Sequence, residues 1–161
     1  MARISGIVGA LILGVGASQF PEVSQQYRQR LGGAVDALQV VVADFDATAA
    51  RAGLDRTAAL AQYRGTAFLE QRGADMERTI ARYETLRGDL AALEQASAFE
   101  RLRNFRHLTD PEILRRTMEI YVPAVPVSAE GAIFALGGGA VGYIGFAGLF
   151  SVLFWRRRRA V

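Results

Sequence analysis

The sequence predicts an all-α chain: two transmembrane helices, N- and C-terminal, flanking a long antiparallel helical hairpin outside the membrane. Three observations carry this. The 25 residues from Gly131 to Trp155 hold no charge. A second apolar stretch, Ile4 to Ala17, lies near the other end. Between them apolar residues recur at helical spacing, and no useful length alternates as a strand would. The expected organisation is an N-terminal anchor at 1–20, a helical domain at 21–127, a glycine-rich span at 128–155 and an arginine tail at 156–161.

The last span is the strongest element. At 1.5 Å per residue its uncharged run reaches about 37 Å, enough to cross a hydrocarbon core of roughly 30 Å with tilt. A buried core helix of a soluble protein rarely keeps so long a run free of charge. Phe154 and Trp155 close it, where amphipathic rings favour the interface. Arg156, Arg157, Arg158 and Arg159 follow at once, the pattern of a cytoplasmic exit. These arginines are read first as a topology determinant, with attraction to anionic head groups as a side effect. Pro123 and Pro126 block helix beforehand, Ser128 is placed to cap, and Glu130 suits the first turn.

The first span is shorter. Fourteen strongly apolar residues cover only about 21 Å. Arg3, the short apolar run and Val15-Gly16-Ala17 also fit a cleaved signal peptide. The retained anchor is the favoured reading, because Gly6, Ala10, Gly14 and Ser18 recur every fourth position as a packing stripe. Either reading leaves the middle domain outside the cytoplasm. A retained anchor puts both termini in the cytoplasm of a bacterium and the middle in the periplasm. Arg28 and Arg30 oppose this placement weakly, since the translocated side should be poor in charge near a span.

The middle begins at Phe20-Pro21-Glu22, a helix start with proline in the first turn. Tyr27, Leu31, Ala34, Leu38, Val41 and Phe45 then alternate spacings of four and three, a heptad seam. This helix is expected to stop at Gly53. Asp55 caps a short helix bounded by Gly65. A second long helix is expected from near Gly73 to about His107, with Met76, Ile80, Tyr83, Leu90 and Leu93 as its stripe. Thr109 and Glu112 form a candidate capping box for a helix ending near Tyr121, and Val122 to Val127 an extended connector. Helices of this length do not stay folded alone in water and must pack. A hairpin covered by the shorter helices is the expected solution.

Composition excludes several chemistries. There is no cysteine, so disulfides and thiol catalysis are absent. All 19 basic residues are arginine, read as the codon bias of a GC-rich genome. Without Arg3 and Arg156 to Arg159, 14 arginines remain, against 15 acids at 21–127 and Glu130 beyond it, so the middle is slightly net negative. That argues against a nucleic-acid partner, which needs a basic face. The single histidine, His107, lacks the company a metal site requires, although Asp110 and Glu112 are near in sequence. Asp44 and Asp46 do not share a helix face. Gly137-Gly138-Gly139 lacks the Lys-Ser/Thr of a phosphate loop. Neither span holds an ionisable residue that would mark an ion path. No catalytic residue, cofactor or metal is expected, and the chain is not read as an enzyme.

Phe20-Pro21-Glu22, the run Gln26-Tyr27-Arg28-Gln29-Arg30-Leu31-Gly32-Gly33, Arg72-Gly73-Ala74, Ile80-Ala81-Arg82-Tyr83 and Tyr121-Val122-Pro123-Ala124-Val125-Pro126 resemble a family of uncharacterised bacterial membrane proteins, domain of unknown function 2937. The resemblance covers almost the whole chain. It implies the topology above and no activity. It singles out Tyr27, Arg30, Arg82 and Tyr83 for test, beside their simpler reading as helix packing and surface ion pairs.

The remaining functional signal is glycine. Ala135, Gly138, Gly142 and Gly145 fall along one ridge of the last span, and Gly148 adds a gap. In lipid, helices associate through close backbone approach, which glycine permits. The ridge packs either on Gly6, Ala10 and Gly14 of the first span or on another subunit. The expected function is a non-catalytic accessory or assembly subunit of a larger inner-membrane complex, respiratory, photosynthetic or transport, with other membrane subunits and the bilayer as partners. One alternative is a self-oligomerising envelope scaffold built on the heptad seam. Another is a periplasmic ligand-binding sensor.

Overall fold

The computed structural model describes residues 2–123 and 128–158. Among these residues the chain is all-helical, with no strand. The helices are α1 (Ala2–Ser18), α2 (Phe20–Arg51), α3 (Arg56–Leu60), α4 (Ala67–Leu93), α5 (Ala98–Arg103), α6 (Pro111–Ile120) and α7 (Ala129–Arg158), with a 3-10 turn at Phe105–Leu108. Two of the described helical stretches are long and apolar enough to cross a membrane: one beginning at Arg3 and one over Ala129–Val152. The chain divides into two compact units, residues 1–25 with 118–161, and residues 26–117.

In the first unit α1 and α7 pack antiparallel. Gly6 faces Tyr143 and Ala147, Gly9 faces Gly142, and Gly14 faces Ala135. Past the end of α1, Phe20 stacks on Phe134 with centroids 5.4 Å apart. The helix between α1 and α2 breaks only at Gln19. Pro21 supplies no amide there, and the Ser24 hydroxyl donates back to its carbonyl at 2.9 Å. Ser128 caps α7 as its position predicts, accepting from the Gly131 amide at 3.1 Å. Val122 and Pro123 are non-helical, and the rest of the expected connector, residues 124–127, lies outside the described residues.

The second unit is built on a small core. Tyr27, Leu31, Val35, Leu86, Leu93 and Ile113 are buried, with Ala34, Leu38, Tyr83, Leu90 and Leu108 packed on them. Ile80 is also buried. The seam on α2 departs from the expected positions at one point. Val41 is exposed and Val42 is buried. The buried positions run 27, 31, 35, then 42 and 49, so an early step of four turns the stripe by one residue. At 3.6 residues per turn, such a step is how a straight helix keeps one face inward. Met76 is half-buried and outside the core, while Leu86 belongs to it.

Turn chemistry sets the boundaries. Asp55 caps α3, accepting from Ala58 at 2.7 Å. Gly53 and Gly65 both take positive φ, 71° and 95°, which glycine alone adopts freely. The second long helix starts earlier than expected, because Thr66 caps it and accepts from the Leu69 amide. It also stops earlier, at Leu93, rather than near His107. The reason is the sequence Ser97-Ala98-Phe99-Glu100. Ser97 and Glu100 form a reciprocal capping box that begins α5 afresh. The expected box at Thr109 and Glu112 is replaced by Asp110, whose carboxylate accepts from the Ile113 amide at 3.0 Å. Thr109 instead donates to the Arg106 carbonyl.

Candidate functional site

Two places carry the residues singled out by sequence. The first is the α1–α7 interface. Its small residues let two helix backbones approach closely. A Cβ on Gly138 would lie 2.5 Å from both the Ala17 Cβ and the Leu13 carbonyl oxygen. A Cβ on Gly142 would overlap the Gly9 carbonyl, and one on Gly9 would meet the Phe146 ring at 2.5 Å. Gly6 and Gly14 leave slightly more room, a Cβ on each lying 2.8 and 3.0 Å from the partner helix, and the Ala10 carbonyl faces Gly139. Ala135 contributes its carbonyl opposite Gly14. The stripes predicted on the two spans therefore meet each other within one chain.

Gly145 does not belong to this ridge. It is exposed, and nothing lies within 4 Å of the Cβ it would carry. The contact continues through Phe146 instead, because the helical repeat carries the ridge from Gly142 four residues on. Gly9 and Gly139 are interface residues the sequence reading missed. The every-fourth-residue stripe on α1 passes over Gly9, and a single line of positions on α7 passes over Gly139, which lies beside Gly138 on the same contact face.

The surroundings are inverted relative to a water-soluble helix pair. Glycine and alanine occupy the interface. Ile4, Leu11, Ile12 and Val15 on α1, and Leu136, Val141 and Ile144 on α7, face outward. In water those large side chains would be buried. In lipid they lose nothing by facing out, and close backbone packing holds the pair. Ser18 is buried at the end of α1 and satisfies its hydroxyl on the Val15 carbonyl at 2.7 Å. Tyr121 donates to the Gln19 side-chain oxygen at 2.6 Å. The backbone of α7 stays helical through Trp155, Arg156, Arg157 and Arg158, while Arg159 lies outside the described residues.

The second place is polar and lies in residues 26–117. The Asp110 amide donates to the Tyr27 hydroxyl at 3.0 Å. Arg82 donates to Asp110 at 3.0 Å and to Glu112 at 3.1 Å. Arg116 reaches the other oxygen of Glu112 at 3.0 Å. Burial pushes the Asp110 carboxyl up, but the Ile113 amide and the Arg82 guanidinium outweigh it and hold the group below the usual carboxylate range. Burial raises the Tyr27 phenol. Of the four residues singled out by resemblance, Tyr27, Arg30 and Arg82 surround this cluster and its adjoining cleft. Tyr83 packs against the core instead. His107 contacts Asp89 through Nδ1 at 2.6 Å, and among the described residues no group of three His, Cys, Asp or Glu is placed to hold a metal. At the far side of the unit Arg56 grips Asp46 with two donors, at 2.9 and 2.6 Å, and Phe45 stacks on Tyr63.

Asp110 gives a pH dependence. Its native carboxyl holds a proton less readily than in the unfolded chain. The stability it adds is complete above the unfolded pKa of about 3.9 and is lost as pH falls through the lower native value. Thermal unfolding followed from about pH 5 downward should show this loss, and Asp110→Asn should flatten the acid limb below about pH 4.

No curated protein and no solved structure matches the chain. A family model described as "Protein of unknown function (DUF2937)" matches residues 1–159. Spanning nearly the whole sequence, that match makes the chain a member of the DUF2937 family.

Proposed function

We propose that this chain is a non-catalytic accessory or assembly subunit of a larger bacterial inner-membrane complex, docking on other membrane subunits through the outer face of α7. One observation carries the reading: the six glycines of α7 from Gly137 to Gly148 fall into two sets. Gly138, Gly139 and Gly142 face α1, whereas Gly137, Gly145 and Gly148 have open space where a side chain would be. Glycine inside a helix costs up to about 1 kcal/mol relative to alanine. The first set is offset by contact with α1. The second set has no such return among the described residues, and a neighbouring transmembrane helix would supply it.

Topology follows the same logic. An antiparallel α1–α7 pair returns the chain to the side it left, so both termini share one face of the bilayer. The arginine tail assigns that face to the cytoplasm. Residues between the spans, with a helical hairpin of α2 and α4, then lie in the periplasm. Self-assembly through the heptad seam is less well supported, because Tyr27, Leu31 and Ile80 are already buried within one chain.

The test is affinity purification from native membranes in mild detergent. Other membrane subunits should be recovered in fixed ratio, and Gly145→Leu with Gly148→Leu should release them while the chain itself stays folded. Recovery of the wild-type chain alone, at its own monomer mass, would contradict the proposal.

A further inference from the structure

A cleft of about 430 Å³ opens between α2, α4 and α6. Arg30, Arg82, Arg116 and Glu112 provide its charge, and Ala34, Ala37, Leu38 and Ile113 provide an aliphatic wall. Three guanidiniums against one carboxylate is a local excess in a unit, residues 26–117, whose 14 arginines and 13 acids nearly balance. Counting Asp110, which neutralises part of Arg82, still leaves one positive charge over. Arg30 is the guanidinium that no acid among the cleft-lining residues pairs.

The cluster already displays how it would hold an anion. The Glu112 carboxylate bridges Arg82 and Arg116, one oxygen to each, at 3.1 and 3.0 Å. Glu112 is about half exposed, as is Arg116. Ion pairs this open to water contribute little, so an incoming carboxylate displaces Glu112 at small cost. Asp110 differs: it is largely buried, tied to the Ile113 amide, and stays to orient Arg82. Planar guanidiniums match a carboxylate with two parallel donors. The volume lies within the range of small-molecule sites, and apolar walls with a few convergent polar groups are their usual lining.

We infer that this cleft binds a small aliphatic carboxylate, with its head group between Arg30, Arg82 and Arg116 and its chain along Ala34, Ala37, Leu38 and Ile113. This goes beyond an assembly role and does not depend on it. An anionic lipid head group would present related chemistry, and the test separates the two.

The full chain, in nanodiscs of zwitterionic lipid, is titrated with valerate while the arginine Nε resonances are followed by NMR. Valerate should give saturable shifts. Acetate should bind more weakly, since it leaves the aliphatic wall uncovered, and uncharged valeramide should give none. Arg30→Gln should weaken valerate about tenfold, the scale of one charge-assisted hydrogen bond. Glu112→Gln should tighten it, because the internal competitor loses its charge. A merely structural Glu112 would not produce that gain. Absence of saturation by valerate, an equal response to valeramide, or affinity unmoved by both substitutions would overturn the inference. So would arginine shifts that arise only when phosphatidylglycerol is added to the nanodisc.

Discussion

Replacing Leu31 by alanine is expected to destabilise the helical domain by about 2–5 kcal/mol, the range for emptying a buried leucine site. Leu31 is fully buried and sits among Tyr27, Val35, Leu86, Leu93 and Ile113. That core is small, so few neighbours can close around the void. The loss is a large share of what a domain of this size has to spare. Val41→Ala is the control. Val41 was expected on the same seam but is 44% exposed, and its truncation should cost less than about 0.5 kcal/mol. Thermal unfolding of both variants in mild detergent, followed by circular dichroism, makes the comparison. Equal losses would mean that the seam runs through Val41 after all.

Gly142→Leu is the second large effect, and it strikes the spans. The new side chain would have to enter where the Gly9 carbonyl already lies. Backbone cannot rotate away as a flexible side chain can, so α1 and α7 must separate along much of their length. Overpacking of this kind costs about 1–3 kcal/mol, and more where neither side yields. Gly145→Leu adds the same volume three residues further on, into open space. The midpoint of unfolding by a denaturing detergent should fall for Gly142→Leu and hold for Gly145→Leu. The pair thus separates contact inside the chain from contact with a partner subunit, because the proposed docking face is sensitive to the second substitution only.

Much of this was readable in the sequence, and the exceptions have physical causes. A 25-residue uncharged run admits few interpretations, so α7 and its Ser128 cap were legible. Small residues on both spans were legible as packing surfaces. Their pairing was not, because a stripe does not name its partner, and Gly145 fell on the wrong side of the ridge. Val41 and Val42 are chemically identical neighbours. Only the rotation of α2 against its core decides which turns inward. The break after Leu93 was present as Ser97 and Glu100, a capping signature, yet strong helix formers on both sides hid it. The arginine cleft was the least legible feature. Arg30, Arg82 and Arg116 come from three different helices and converge only after folding.

The placement of the middle domain across the membrane from the arginine tail is tested most directly with single cysteines, since the chain has none of its own. Ala47→Cys lies on an exposed position of α2, and Ala160→Cys lies in the tail. A membrane-impermeant maleimide is applied to cells with a permeabilised outer membrane and an intact inner one. The expected result is labelling at position 47 at once, and at position 160 only after the inner membrane is broken. Labelling at 160 with protection at 47, or recovery of the protein in the soluble fraction, would contradict a periplasmic middle domain with a cytoplasmic arginine tail.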